Sequence, residues 1–500
     1  MYDVVVIGGG IIGTFICREL SKYNLNIALL EKDNDVANGT TKANSAIVHA
    51  GYDAEEGTLK AKFNVEGNAM FQSICDELDV PFKNTGSLVI AKNEEEISML
   101  DSLLERGVKN GVLGLKILRA EEVKRFQPNI NRDIKGALYA PSCGIVCPFE
   151  LAIALGENAM DNGAGIFLNS KVTNLKNNNG IYEIEINNGE KLVQSKCIVN
   201  AAGVYGDEIN NIICKEKISI IPRRGEYFIL DKSQKKLVST VIFQCPTKEG
   251  KGVIIAPTVH GNILIGPNAD NIDNKENNET TFQGLQFIKN KSKETIENID
   301  FSKCITSFAG LRASSTKGDF IIEESKENKG FINVVGIESP GLASAPAIAK
   351  YVVEKLVLKF LGGSEKKSNF NPRRRRVIRF NQLDFDEKND FIKENKAYGK
   401  VICRCENVTE GEIIDCIKRN LGATTVDGVK RRCRPGMGRC QGGFCGPRIV
   451  EILSKIMEEK EFEILKSNKG SYMLSGESKI NVKYNHAFSD AVKGGEYDEG

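Results

Sequence analysis

The chain of 500 residues has no apolar run approaching the roughly 18 to 20 residues that cross a bilayer. Its N-terminus is acidic and apolar, with neither a basic leader region nor a small-residue cleavage site. A cytoplasmic location is expected from these two absences. Excess charge of one sign is missing too, since 68 Lys and Arg stand against 66 Asp and Glu, a formal +2. No global field is available to hold nucleic acid or an anionic membrane. The one local basic run, Arg373 to Arg376, reads as a solvated linker. Fourteen cysteines are too sparse for a disulfide scaffold and suit a reducing compartment. Histidine is scarce: His49, His260 and His486 are the only imidazoles. His260 precedes "GNILIGP", a hairpin pattern, and His486 sits in a polar, solvated tail. No repeat of 20 to 50 residues is present.

What is there begins with "DVVVIGGG", an apolar run of the kind a strand buried on both faces shows, stopping at glycines. "IIGTFICRELSKYN" follows with apolar residues at helical spacing, and "LNIALLEK" is a second buried strand. The strand, small-residue turn, helix theme returns in "SKCIVNAAGVYGDEINNI" and in "KGFINVVGIESPGLASAPAIAKYVVEKLV". Such returns build doubly wound α/β sheets. The predicted fold is α/β: a Rossmann-like nucleotide domain, about 1–78, 145–215 and 325–360, interleaved with an α+β substrate domain, about 79–144 and 216–324. Residues 361–399 read as a polar linker, 400–457 as a small helical cysteine domain and 458–500 as a polar tail.

Gly8-x-Gly10-x-x-Gly13 joins the first strand to the first helix. Gly8 suits the tight turn, Gly10 lets backbone approach a pyrophosphate and Gly13 permits close helix–strand packing. The helix N-terminus offers unpaired N–H groups to phosphates. Glu31, at the end of the second strand, is positioned to accept hydrogen bonds from ribose hydroxyls. The small and hydroxyl-bearing residues Thr40, Thr41, Asn44, Ser45 and Ala46 suit a backbone running along an extended cofactor. Spacing alone leaves FAD and NAD both open.

The motifs "NSAIVHAGY", "EEGTLKAKF", "NAAGVYGDE", "RRGEYF", "AGLRAS" and "GIESPGLASAPAIA", with the glycine triplet and Glu31, resemble the FAD-dependent oxidoreductases of the D-amino-acid oxidase superfamily. Within them the chain looks most like the branch of glycerol-3-phosphate dehydrogenases and L-2-hydroxyglutarate oxidases, over about 1–357. The resemblance implies FAD, with Asn200 to Gly203 (Ala202 and Gly203 among them), Gly336, Gly341 and Leu342 near it, the last two in a turn whose N–H groups face the flavin's pyrimidine oxygen. It puts His49 beside the flavin ring, as a contact or proton-handling group. It directs Arg312 at a substrate anion, and sets Arg224, Glu226 and Tyr227 along the substrate cavity. Arginine suits that task because its planar fork binds carboxylate or phosphate in two places. The implied reaction is hydride transfer from glycerol 3-phosphate to flavin, giving dihydroxyacetone phosphate. One departure stands out: glycerol-3-phosphate enzymes commonly read "GxRP" where this chain has "LRASSTKGD". "NSAIVHAG" and "EGTLKAK" look closer to the 2-hydroxyglutarate enzymes, so an L-2-hydroxy acid or an amino or imino acid stays open as substrate.

Cys403, Cys405, Cys433, Cys440 and Cys445 crowd into 43 residues, with Cys416 between them. The pairs Cys403-x-Cys405 and Cys440-x4-Cys445 can hold zinc or a [2Fe-2S] cluster, though C-x-C is unusual for zinc. Glycines 436, 438, 442 and 443 permit turns that aim amides at sulfur. Cys416 and Cys433 read as non-ligands. The segment resembles the bacterioferritin-associated-ferredoxin-like (BFD-like) [2Fe-2S] domain, and its "GMGxCQGxxC" spacing is like that of anaerobic glycerol-3-phosphate dehydrogenase large subunits. A one-electron relay fused to a flavin body implies a dehydrogenase that hands electrons to an electron-accepting flavoprotein subunit or a quinone-linked partner. Peripheral membrane contact through such a partner and homo- or hetero-oligomeric assembly stay open. The alternative from another class is a non-catalytic electron-transfer or zinc-stabilised assembly subunit.

Overall fold

The structure, a computed structural model, describes residues 1–246 and 252–477. His486 and the rest of the tail end expected to be solvated lie outside the described residues. The opening unit forms as its pattern dictates. In the strand Tyr2–Ile7, Val4 and Val6 face one side while Val5 and Ile7 face the other, and all four are buried. Such double burial is what a central parallel strand requires. The strand pairs in parallel with Ile27–Leu30 on one side and Lys191–Asn200 on the other. Gly165–Phe167 and Phe331–Val335 extend the parallel sheet outward. An antiparallel edge strand and a hairpin complete eight strands among the described residues.

Helices Ile11–Leu20, Pro148–Asp161 and Gly341–Tyr351 cover one face through Ile16, Leu20, Leu151, Leu155 and Ile348. Ile209 of helix Gly206–Ile213 covers the other, beside Ile198 and Phe331. The second sheet is mostly antiparallel and has nine strands among the described residues. Its longest pair, Ile220–Leu230 and Cys304–Ser315, runs in unbroken register from Ile220↔Ser315 to Ile229↔Thr306. This pair forms a wall opposite the first, mostly parallel sheet. No helix among the described residues is long and apolar enough to cross a membrane.

Residues 361–399 are stapled to the body. Arg374 Nε donates to Glu157 at 2.6 Å with both side chains under a tenth exposed, so the arginine run is not solvated throughout. Arg379 pairs with Asp79, and Asn158 Nδ2 donates to the Asn371 carbonyl. Beyond this strap, helices Glu410–Lys418, Val426–Cys433 and Gly446–Met457 close a small core around Ile413, Val429, Ile449 and Leu453. This unit docks on the loop that follows Ile27–Leu30. Arg432 donates to both oxygens of Asp35 at 2.8 Å, and Arg431 adds a bond at 3.0 Å. Burial would raise the Asp35 carboxyl, but the two guanidiniums overcome it and hold it below its ordinary value.

Asp35→Ala leaves two buried guanidiniums without their partner, a loss of about 3–5 kcal/mol. Denaturant unfolding is expected to show that loss at neutral pH. Because the folded-state pKa is lowered, the wild-type contribution is complete above about pH 4, the ordinary aspartate range, and disappears as pH falls through the folded value. The wild-type and variant curves therefore converge in acid; a gap that persists there would contradict this assignment.

Candidate active site and cluster centre

A cavity of about 1110 Å³ lies between the two sheets. Gly8, Gly10, Glu31, Thr41, Asn44, Ser45, His49, Ala202, Gly203, Tyr227, Arg312, Gly341 and Leu342 all line it. Gly8 has φ +106°, and a Cβ there would stand 2.5 Å from the Ala201 carbonyl oxygen. A Cβ on Gly13 would sit 1.9 Å from the Gly8 carbonyl oxygen, so helix and strand approach as only glycine permits. The Glu31 carboxylate accepts from the Gly9 N–H at 2.6 Å and the Asp33 N–H at 2.9 Å. Burial pushes its pKa up to about 7. Thr41 Oγ1 accepts from the Ile11 N–H, tying the loop to the helix start. Asn44 donates to the Thr40 and Thr41 carbonyls and fixes the next turn. The N-terminus of Gly341–Tyr351 opens on the same cavity. A cavity lined by two helix N-termini and by backbone at glycines fits a dinucleotide such as FAD.

Strand phase decides which of the remaining expected residues reach the cavity. Side chains alternate along a strand, so Arg223, Gly225 and Tyr227 share one face and Arg224 and Glu226 the other. Arg223, Tyr227 and Arg312 line the cavity; Arg224 and Glu226 do not. Glu226 is wholly buried, where it accepts from the Thr281 N–H and hydroxyl and lies 3.5 Å from Arg224 Nε. Gly336 is also off the cavity, its α-carbon packed against Ser315. Arg223 was missed by the sequence reading, although the period-two rule applied from Tyr227 points straight to it.

Arg223 stands directly opposite Arg312 in the antiparallel register. Neither forms a salt bridge among the described residues, and Arg223 Nε is buried without a hydrogen bond. Gly225 leaves room beneath the Arg312 guanidinium, which a Cβ there would meet at 2.8 Å. Tyr227 stacks on Phe308 with ring centroids 4.8 Å apart, and burial raises its phenol against the opposing pull of Arg312. The His49 ring lies 5.6 Å from that of Phe243, and its carbonyl is held by Asn64 and Asn68.

In the C-terminal unit the four expected ligands fall into two pairs. Cys405 Sγ lies 3.4 Å from Cys440 Sγ, and Cys403 bonds with Cys445. No three of the four sulfurs lie mutually within 4.8 Å. Tetrahedral zinc, at about 2.3 Å per Zn–S bond, would draw all four to within about 3.8 Å of one another. Two separate pairs suit two irons. The bond from Cys445, against burial and with help from the Gly436 and Glu406 N–H groups, draws the Cys403 thiol down to about 6. The Gly442 and Phe444 N–H groups aim at Cys440, whose pKa is lowered despite desolvation. Cys416 and Cys433 contact each other instead, 3.6 Å apart in the helical core.

Residues 3–355 match the family described as FAD dependent oxidoreductase. The chain belongs to that family. Residues 401–455 match the BFD-like [2Fe-2S] binding domain, and the oxidoreductase thus has FAD and a [2Fe-2S] cluster as its cofactors. A glycerol 3-phosphate dehydrogenase of Caloramator mitchellensis is 54% identical over 97% of this chain and 100% of its own length. An L-2-hydroxyglutarate dehydrogenase of Indibacter alkaliphilus is 31% identical over 72% of this chain and 100% of its own. Among solved structures, the dithionite-reduced L-α-glycerophosphate oxidase of Mycoplasma pneumoniae with FAD bound aligns with a TM-score of 0.71 at 30% identity, covering 75% of this chain and 98% of that one.

Gly13→Ala in this oxidoreductase places a methyl 1.9 Å from the Gly8 carbonyl oxygen. The purified variant is expected to keep its helical circular dichroism and lose its flavin absorption. A full flavin complement in the variant would contradict the cradle described here.

Proposed function

We propose that this protein is an FAD-dependent dehydrogenase that oxidises glycerol 3-phosphate to dihydroxyacetone phosphate and passes the electrons through its [2Fe-2S] cluster to a partner acceptor. The observation that carries the substrate is the facing pair Arg223 and Arg312 on the cavity wall. Like charges opposite each other in a ladder are unfavourable, and a phosphomonoester with about −1.5 to −2 charge near pH 7 neutralises both at one point. A 2-hydroxy diacid carries its charges at opposite ends and suits a pair of separated cations better. The relatives named for glycerol 3-phosphate support the same substrate.

Bound FAD supplies a two-electron acceptor, and the cluster supplies a one-electron carrier. The chain's own residues do the rest. Arg223 and Arg312 hold the phosphate through charge-assisted hydrogen bonds. Tyr227, stacked and buried, keeps the Arg312 guanidinium in place. His49 faces the cavity and receives the proton of the C2 hydroxyl. Glu31 and the glycine cradle orient the cofactor. The acceptor is an electron-accepting flavoprotein subunit or a quinone-linked protein, since a one-electron module has no use in direct two-electron turnover.

Under argon, glycerol 3-phosphate is expected to bleach the flavin band and L-2-hydroxyglutarate to leave it; the reverse pattern would replace the substrate assigned here. Arg223→Met removes one charge-assisted contact worth about 1.5–3 kcal/mol, so KM for glycerol 3-phosphate rises roughly 10- to 100-fold. Steady-state kinetics with an artificial acceptor check this. Cys440→Ser is expected to spare flavin bleaching by substrate while slowing reduction of the natural acceptor. Loss of the bleaching itself in a folded variant would contradict the two-module reading.

A further inference from the structure

Three side chains from distant parts of the sequence meet outside the active-site cavity. Cys147 caps the start of helix Pro148–Asp161, Glu150 lies in its first turn, and His260 lies between strands Ile254–Pro257 and Ile263–Gly266. Their ligand atoms all lie within 4.8 Å of one another, and no other His, Cys, Asp or Glu cluster of three converges so closely among the described residues. None of the three lines the cavity. Cys147 is 5% exposed and Glu150 9%.

The contact between His260 and Glu150 is unusual. Nε2 approaches Oε1 at 2.8 Å, yet Nε2 is among the buried polar atoms without a hydrogen bond. The oxygen is close enough to accept but lies off the axis along which the ring nitrogen would donate. Neighbouring ligands of one cation stand in such a relation, close together without hydrogen-bonding each other. We propose that Cys147, Glu150 and His260 form a binding site for a divalent transition-metal ion of the zinc class.

The donor set fits. Thiolate, imidazole and carboxylate are the three ligand types of tetrahedral zinc, with water in the fourth position. A thiolate and a carboxylate together neutralise a 2+ ion. Arg434 and Arg379 also face Glu150, but each has its own carboxylate, Glu406 at 2.9 Å and Asp79 at 3.1 Å. Burial pushes the Cys147 thiol well above its ordinary value, so the metal-free cluster holds a protonated sulfur. Binding forms the metal–sulfur bond and breaks the S–H bond: one M²⁺ enters and one proton leaves to solvent, with no change of oxidation state. Enclosed and away from the cavity, the ion braces the nucleotide-domain helix against the substrate-domain hairpin. The site is independent of the substrate and of the electron route.

Holoprotein with FAD and cluster intact is equilibrated with Zn²⁺ alone, and zinc, iron and flavin are counted per chain. One zinc per chain is expected, with iron and flavin unchanged. Zinc X-ray absorption on this wild-type sample is expected to show a single sulfur at about 2.3 Å among nitrogen and oxygen ligands. His260→Gln is expected to weaken zinc uptake at least about tenfold and to remove the rise in unfolding temperature that Zn²⁺ gives the wild type. Absence of bound zinc, a four-sulfur shell reporting exchange into the cluster cysteines, or unaltered uptake by His260→Gln would each overturn the site.

Discussion

Two arginines stand directly opposite each other on adjacent strands of the cavity wall, and the proposed substrate site depends on that juxtaposition. Neither Arg223 nor Arg312 forms a salt bridge among the described residues, and the Glu338 carboxylate that Arg223 influences is already paired with Lys60, so much of their repulsion is carried by the sheet around them. Gly225 makes room for the Arg312 guanidinium, and Tyr227, stacked on Phe308, hydrogen-bonds with it. The opposite face of the same strand is locked by Glu226, held by Thr281 and set against Arg224. One face of the strand is thus fully satisfied so that the other can remain electrostatically open. On the proposed reading, this division favours a compact, doubly charged group over a single carboxylate and ties substrate choice to strand phase.

A second constraint joins the two cofactor units. Asp35 lies four residues beyond Glu31, and Arg431 and Arg432 of the cysteine domain grip it inside the protein. The loop that borders the cavity is therefore also the floor on which the cluster domain rests. Glu157, shared by Arg374 of the strap and Arg419 of the cluster domain, repeats the device on the neighbouring helix. Buried ion pairs of this kind gain little over an apolar seam in net stability but penalise every misaligned docking. A fixed docking geometry is what the proposed transfer of single electrons between the two centres would need.

The strand–glycine–helix unit was legible in the sequence because its causes are local: a run of valines, a glycine triplet and an acid at the next strand end. The cysteine-rich domain was legible for the same reason, its two expected ligand pairs each lying within six residues. What was not legible depends on distance or phase. "RRGEYF" announces a strand, but only alternation from a fixed neighbour tells Arg223 from Arg224. The grip on Asp35 joins positions about 400 apart, and the polar text of 361–399 gives no sign that Arg374 is buried against Glu157. The meeting of Cys147 and Glu150 with His260 is likewise a product of tertiary folding alone.

The central claim is that the facing arginines are a phosphate clamp held at some cost to the empty protein. Thermal unfolding of wild type and Arg223→Met, each with and without inorganic phosphate, tests it most directly. At 100 times its Kd, phosphate is predicted to stabilise the wild type by about 2.7 kcal/mol. Arg223→Met is predicted to unfold at a higher temperature than ligand-free wild type and to lose most of the phosphate response. A wild type indifferent to phosphate, or a ligand-free variant less stable than its parent, would contradict the account.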